Sequence, residues 1–358
     1  MSDMKPSLYD FTQKELVAQI KPAFRVKQIF GWLYHQYAQS FDDMKNIPKA
    51  LKEELAEKFV VNPLTIANRE ESSDGTIKYL LQMQDGKTME AVWLKMKDEQ
   101  KDESGNVYQE AKYTICVSTQ VGCKVGCTFC LTAKGGFTRD LTAGEIVAQV
   151  VTLKRDNNHK HNRKINIVYM GMGEPLDNLT NLAKAIEVFK EEEGLAIGGK
   201  RQTVSTSGLS TKIDQLGEMD LGVHIAISLH AVDDELRTEL IPMNKAHNIN
   251  SIIEAVKRFP IDTRKRVMFE YLVIKGKNDD LGSAKKLVKL LTDIKAKVNL
   301  IYFNPYPGTD YDRPSRADMV AFQEYLVKHG LLCTIRDSKG IDISAACGQL
   351  KEKTEGEI

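Results

Sequence analysis

The sequence predicts an α/β protein, a partial (β/α)6 barrel preceded by a small N-terminal accessory domain of helices and a β-meander. Three observations lead there. From Tyr113 onward, short and nearly unbroken apolar β-rich runs alternate with helical segments, as in a parallel sheet covered by helices. Before residue 97, Asp74-Gly75 and Asp85-Gly86 separate three β-rich runs, and Asp-Gly is a strong tight-hairpin signal. Residues 1 to about 60 have helical rather than alternating periodicity. A doubly wound sheet is the competing core. In either architecture the chemistry belongs at the loops that follow the strands.

Taken in order, Val26, Ile29, Phe30, Leu33, Tyr34 and Tyr37 recur at helical spacing and give one apolar stripe. Pro48 is suited to open a second helix, where Leu51, Leu55 and Phe59 repeat every fourth position. The runs TIANREES, TIKYLLQM and MEAVWLKM form the meander, ending near Met96. Lys97 to Lys112 is polar and almost without aliphatic residues, which predicts an exposed linker. The domains are therefore expected at 1–96 and 113–358, joined by 97–112. Core strands are expected at YTICVS, INIVYMG, QTVSTS, VHIAISL, RVMFEYLVI and VNLIYFN, with a further one at LLCTIR. Between them lie AGEIVAQVVTL, after a Thr142/Glu145 capping box, and LTNLAKAIEVF, SIIEAVKRF, GSAKKLVKLLTDI and ADMVAFQEYLVKHG. About six such units suit a partial barrel better than a closed eight-unit one.

Composition narrows the function classes. With Lys+Arg 50 against Asp+Glu 49, no global basic field advertises a nucleic-acid partner. No apolar run is long enough to span a bilayer, and the polar start MSDMKPSLYDFTQKEL lacks a signal-peptide layout. A cytoplasmic protein without a membrane partner is expected, and its six cysteines are not a disulfide scaffold in a reducing compartment. Cys116, Cys123, Cys127 and Cys130 fall within fifteen residues, whereas Cys333 and Cys347 lie far downstream.

Cys123-Lys-Val-Gly-Cys127-Thr-Phe-Cys130 has the spacing C-x3-C-x2-C in a glycine-punctuated loop after a strand. Structural zinc normally takes four protein ligands, and a four-iron electron carrier four thiolates. Three close thiolates hold three irons of a cubane and leave the fourth open. An open iron can chelate adjacent amine and carboxylate groups, which is what the methionine end of S-adenosylmethionine offers. One electron into its sulfonium then gives a 5′-deoxyadenosyl radical. Phe129 fits a residue lying against the adenine.

With this loop the chain resembles the radical S-adenosylmethionine superfamily. Met170-Gly-Met-Gly-Glu-Pro175 resembles the glycine-rich segment of that superfamily, which implies that Gly173 and Glu174 meet the cofactor's amino group. Glycines permit close backbone approach, and a carboxylate accepts hydrogen bonds from an ammonium. Ser205, the run Ser228, Leu229 and His230, and Asn304 each end a predicted strand on the same face. Short polar groups there can hold ribose and carboxylate oxygens, although Ser and Asn are also common turn formers.

Cys116 lies in ICVSTQVGC and Cys347 in GIDISAACGQL, while Cys333 reads as a small buried hydrophobe. Alone, Cys116 reads equally well as core. Together the two segments resemble the RlmN-type adenosine-C2 methyltransferases, a likeness that runs through the N-terminal FRVKQIFGWLY stretch as well. That resemblance implies a [4Fe–4S] cluster, two S-adenosylmethionine molecules per turnover, and 23S rRNA and tRNA (an anticodon-adjacent adenosine) as substrates. It implies that Cys347 takes a methyl group by displacement and that a radical formed on that methyl adds to adenine C2. A base then removes the C2 proton, with Glu90 in Met-Glu-Ala-Val as the aligned candidate. Cys116 attacks the sulfur of Cys347 and leaves a transient disulfide. A reductant such as flavodoxin or ferredoxin and a monomeric enzyme complete the expectation.

Two readings stay open beside it. One is the C8-methylating resistance relative, against which the GMGEPLDN run with Pro175 fits the C2 group better. The other is a non-catalytic RNA-binding protein with an iron–sulfur or zinc site. Candidate phosphate contacts are Lys154, Arg155, Lys160, Arg163 and Lys164 in one loop, and Lys257, Arg258, Arg264, Lys265 and Arg266 in another.

Overall fold

Caps and one apolar stripe set the N-terminal helices. In the computed structural model, which describes residues 4–262 and 265–351, Thr12 and Glu15 form a reciprocal capping box that starts α1 (Gln13–Gln19). In α2 (Phe24–Phe30), Val26, Ile29 and Phe30 are buried. The chain then widens into a π-helical turn, Gly31–His35, which keeps Leu33 and Tyr34 inward. Tyr37 lies beyond that turn at φ 55°, and its hydroxyl donates to the His159 carbonyl at 2.9 Å. The stripe thus spans two kinds of helix. Pro48 takes the cap position immediately before α3 (Lys49–Lys58).

Strands β1 (Leu64–Glu71), β2 (Ile77–Met83) and β3 (Thr88–Lys97) form the antiparallel meander. Its two turns use Gly75 and Gly86 at φ 79° and 78°, a left-handed conformation in which a Cβ would be strained. The polar segment that follows carries a small hairpin, β4 (Gln100–Lys101) with β5 (Val107–Gln109). Asp102 accepts the N–H groups of Ser104 and Asn106 at 3.0 and 2.8 Å, a side-chain turn that supplies the order its few aliphatic residues do not. β3 then pairs antiparallel with β6 (Lys112–Cys116). The meander and the core therefore share one ten-stranded sheet.

Within the core, β7 (Gln120–Gly122), α4 (Leu131–Lys134) and β8 (Phe137–Asp140) enclose the three-cysteine loop. The repeating units continue through α5 (Ala143–Asp156), β9 (Asn166–Tyr169), α6 (Leu179–Lys190), β10 (Gln202–Thr206), α7 (Ser210–Glu218) and β11 (His224–Ser228). They end with α8 (Asp234–Leu240), α9 (Ile249–Arg258), β12 (Val267–Val273), α10 (Leu281–Leu291), β13 (Ala296–Tyr302), α11 (Arg316–Lys328) and β14 (Leu332–Arg336). From β6 the order is β9-β10-β11-β12-β13-β14, with every neighbouring pair parallel. The strands are apolar along most of their length because helices cover them. Cys333 is buried in β14, as its apolar neighbours suggested.

Two expectations about basic groups change. Lys154 is fully buried and donates to the His161 carbonyl at 3.3 Å, so it cannot reach a phosphate. Burial lowers its pKa to about 8. Lys257 and Arg258 face Glu254 and Asp214, each at 2.8 Å, and Arg264 lies outside the described residues. Arg155, Lys160, Arg163, Lys164, Lys265 and Arg266 are exposed. No helix among the described residues is long and apolar enough to cross a membrane.

Candidate active site

The residues singled out by sequence gather where the parallel strands end. Cys116 ends β6, Gly173 and Glu174 follow β9, Ser205 is near the end of β10, Ser228 ends β11, and Asn304 follows β13. The three-cysteine loop is shaped by glycines and by backbone bonds. Gly122 sits at φ 74°, where an added Cβ would come within 2.0 Å of the Gly136 carbonyl oxygen. The Cys123 N–H donates to that carbonyl at 2.7 Å. The loop rests on an apolar patch that includes Val125, Leu240, Ile274 and Phe303. Cys123 is buried, and Cys127 and Cys130 are half-buried. Burial pushes the Cys123 thiol up to about 12 and raises that of Cys127 as well. Metal binding would have to displace those protons.

A polar frame holds the second wall. Gln120 donates to Asp140 and Asp177 and accepts the Glu174 N–H, at 2.8, 3.0 and 2.8 Å. Gly173, at φ 102°, packs so tightly on Gln120 that a Cβ would lie 2.6 Å from that side chain. The buried Glu174 carboxylate accepts the N–H groups of Leu176 and Ser207 at 3.0 and 2.7 Å. Burial nevertheless raises its pKa. His230 is buried with φ 59°. Its Nδ1 accepts the Leu272 N–H at 3.0 Å, which places the proton of the neutral ring on Nε2. Burial and Arg237 lower its pKa to about 3. Phe129 meets its ring edge-on at 5.1 Å. Leu229 is buried, while Ser205 and Ser228 are half-buried.

The two distant cysteines come together. Cys116 is buried at the end of β6, and Cys347 is exposed in the loop that closes over the strand ends. Cys116 is pushed up to about 12, first by burial and then by the charge of Cys347. The surrounding protein raises the Cys347 pKa too, while Arg336 opposes the rise. Both thiols are free. Glu90 is buried in β3, two residues before Val92, the cross-strand partner of Cys116: Lys78 Nζ lies 3.4 Å from Oε1, and the Lys351 N–H donates to Oε2 at 3.0 Å. The Ser118 hydroxyl ties the Glu90 carbonyl at 2.6 Å.

Side chains that no spacing pointed to hold the Cys347 loop. Asp342 accepts from the Ser72 hydroxyl and the Ser73 N–H at 2.5 and 3.1 Å. Asp74 accepts the Gly340 N–H at 3.1 Å. At the other end, the Leu131 N–H donates to the Gly348 carbonyl at 2.7 Å and the Thr132 hydroxyl to the Leu350 carbonyl at 2.5 Å. A meander turn and the helix after the three cysteines thus grip one loop. Asp-Gly turns are so common that the Asp74 pairing left no mark in the sequence.

Known proteins share this arrangement. A family profile described as "Radical SAM superfamily" matches residues 117–288, and one described as "Ribosomal RNA large subunit methyltransferase N-terminal domain" matches residues 7–61. The chain is 83% identical over 355 residues to the dual-specificity RNA methyltransferase RlmN of Sulfurimonas denitrificans, an alignment covering 99% of this chain and 100% of that protein. The chain belongs to the RlmN family. The RlmN of Nitratiruptor sp. is 64% identical over 98% of this chain and 99% of its own. A solved radical SAM methyltransferase from Sphaerobacter thermophilus superposes with a TM-score of 0.88 at 42% identity, covering 96% of this chain and 99% of that one.

A radical SAM enzyme of the RlmN family uses a [4Fe–4S] cluster and S-adenosylmethionine, and the residues fit both. The Cys127 thiol feels the charges of Cys130 and Cys123, so three sulfur donors share one loop. Among the described residues no three His, Cys, Asp or Glu side chains converge as they would on a single ion. A cubane takes its thiolates on separate irons and does not require that convergence. For the second cofactor, Arg313 donates to Asn304 Oδ1 at 2.7 Å and thereby orients the amide. Asn304 Nδ2 is buried without a protein partner, a donor left for a ligand oxygen.

Proposed function

We propose that this chain methylates C2 of adenosine in 23S rRNA and in tRNA, with Cys347 as carrier of the methyl group and Cys116 as its resolving partner. The observation that carries this reading is the meeting of a buried Cys116 and an exposed Cys347 within electrostatic reach of each other, beside the three-cysteine loop. High identity to dual-specificity RNA methyltransferases along the whole chain supports the substrate class. When bound, S-adenosylmethionine and the reduced cluster supply a methyl group from one molecule and a 5′-deoxyadenosyl radical from a second.

The chain's own residues divide the remaining work. Cys347, exposed at the mouth, is the nucleophile that accepts the methyl carbon, and its thiol proton leaves to solvent. Glu90 accepts the C2 proton of the tethered adenine, and Lys78 balances the charge it carries as a base. Cys116 then loses its proton and attacks the Cys347 sulfur. The carbon–sulfur bond breaks, the released carbon keeps the electron pair and takes up a proton to complete the methyl group, and the disulfide left behind must be reduced before the next turnover. Gly173, Glu174, Ser205, Ser228, Leu229, His230 and Asn304 bind and orient S-adenosylmethionine, and Cys123, Cys127 and Cys130 ligate the cluster. An adenine buried in a stack cannot be reached, so the target base is extruded; the exposed Arg155, Lys160, Arg163 and Lys164 precede β9 and therefore lie at the opposite end of the strands from that site. The enzyme is a monomer in the cytoplasm and draws electrons from a flavodoxin- or ferredoxin-type donor.

Nucleoside digests of rRNA and tRNA incubated with the reconstituted enzyme should contain 2-methyladenosine, and 8-methyladenosine in its place would overturn the C2 assignment. Cys347→Ala should lose methylation. Cys116→Ala should accumulate a covalent protein–RNA adduct, visible as a nuclease-sensitive shift on denaturing gels. Normal product release by Cys116→Ala would remove Cys116 from the scheme.

A further inference from the structure

Arg237 has no part in the scheme above, yet it occupies an unusual place. It is fully buried in α8, and no carboxylate among the described residues bonds it. Its guanidinium donates to the carbonyls of Ser207, Ser228 and Leu229 at 2.5, 3.1 and 3.1 Å, and to Asn244 Oδ1 at 2.8 Å. Taking a guanidinium out of water without a bonded counter-ion is costly, so packing alone is a poor reason for it. A Leu at this position would fill much of the space without that cost.

What those contacts join is informative. Ser207 follows β10, and its N–H holds the Glu174 carboxylate. Ser228 and Leu229 belong to the run that closes β11. One planar fork therefore spans two neighbouring strand ends of the S-adenosylmethionine site. The same helix supports the cysteine loop, since the Thr128 N–H donates to the Leu240 carbonyl at 3.0 Å.

We propose that Arg237 is a positioning residue for S-adenosylmethionine: its fork fixes the spacing of the β10 and β11 ends that hold the cofactor. The inference rests on the family reading of this site. Lysine keeps the charge but has no planar fork, and glutamine keeps neither, so both variants lose the clamp.

The experiment compares reconstituted wild type, Arg237→Lys and Arg237→Gln for iron content, Tm and S-adenosylmethionine Kd. At wild-type iron content, both variants should raise Kd about tenfold or more, the scale of one or two lost charge-assisted hydrogen bonds. Kd within about twofold of wild type in Arg237→Lys would overturn the clamp. Where Arg237→Gln fails to fold, the Kd of Arg237→Lys decides the proposal. Wild type that binds neither cofactor would overturn the family reading and this inference with it, and that failure is visible before any variant is compared.

Discussion

The two cysteine loops that meet at the mouth of the barrel are built on opposite plans. The loop carrying Cys123, Cys127 and Cys130 is short and rests on an apolar floor. Its shape comes from Gly122 and from backbone bonds such as Cys123 N–H to Gly136. The loop carrying Cys347 leaves that cysteine exposed. Polar contacts with residues far away in sequence hold it, above all Ser72, Ser73 and Asp74 of the meander. A cluster site needs its donors fixed before metal arrives. The role proposed for Cys347, to accept a methyl group, tether RNA and then be attacked by a second thiol, needs access. The difference teaches that the meander anchors the loop that carries Cys347.

The contrast breaks most sharply by substitution within each loop. Cys127→Ala should reduce iron content after reconstitution to near background and abolish both radical formation and methylation. Cys347→Ala should keep wild-type iron and visible absorption while losing methylation. Equal iron loss in both variants would mean that the two loops are one structural unit.

A smaller effect is expected at the anchor. Asp342→Ala removes the acceptor for Ser72 and Ser73 without touching the cluster. Misplacing a reacting group by about 1 Å can cost up to about a hundredfold in rate, so single-turnover methylation should slow by about ten- to a hundredfold. Iron content and Tm should stay unchanged, and a wild-type rate would show that the meander does not set the position of Cys347.

The smallest effect is one of pH. Hydrogen bonds from Ser72 and the Ser73 backbone lower the Asp342 pKa in the folded protein. A carboxylate of this kind contributes docking strength above its unfolded pKa of about 4, and the contribution is lost as pH falls through the lower folded value. Glu174 has the opposite sign, because its pKa is raised by burial, so the fold tolerates its protonation. Hydrogen exchange of the cluster-free protein should therefore show residues 340–350 losing protection below about pH 4, ahead of the segment around Glu174. Simultaneous loss would contradict the separation of the two loops.

How far the sequence reached follows the same division. The Asp-Gly turns and the strand–helix alternation are local patterns, and each produced the element it suggested; the C-x3-C-x2-C spacing is local too and falls in one glycine-shaped loop. Cys116 and Cys347 were legible only as a pair of motifs within a family resemblance, since nothing local says that they meet. The short hairpin at 100–109, the β7–β8 pair and the π-helical turn at Gly31–His35 went unread. Each depends on one or two hydrogen bonds or on outside packing rather than on hydrophobic period. Arg237 did leave a trace, because it shares a helical face with Leu240 and Ile241, but an arginine there is more often read as solvated.

By itself, then, the sequence determined the α/β architecture, the three-cysteine loop and the strand-end positions of the residues proposed to bind the cofactor, because periodicity and short spacing are properties of neighbouring residues. The tertiary structure alone decided that Lys154 is buried away from phosphates, that Glu90 faces Lys78 and the Cys347 loop, that Asp74 and Asp342 bind the meander to that loop, and that Arg237 bridges two strand ends. Each of these is a contact between groups distant in the chain. Burial and hydrogen bonding at such contacts are fixed by packing in space, which no local pattern encodes.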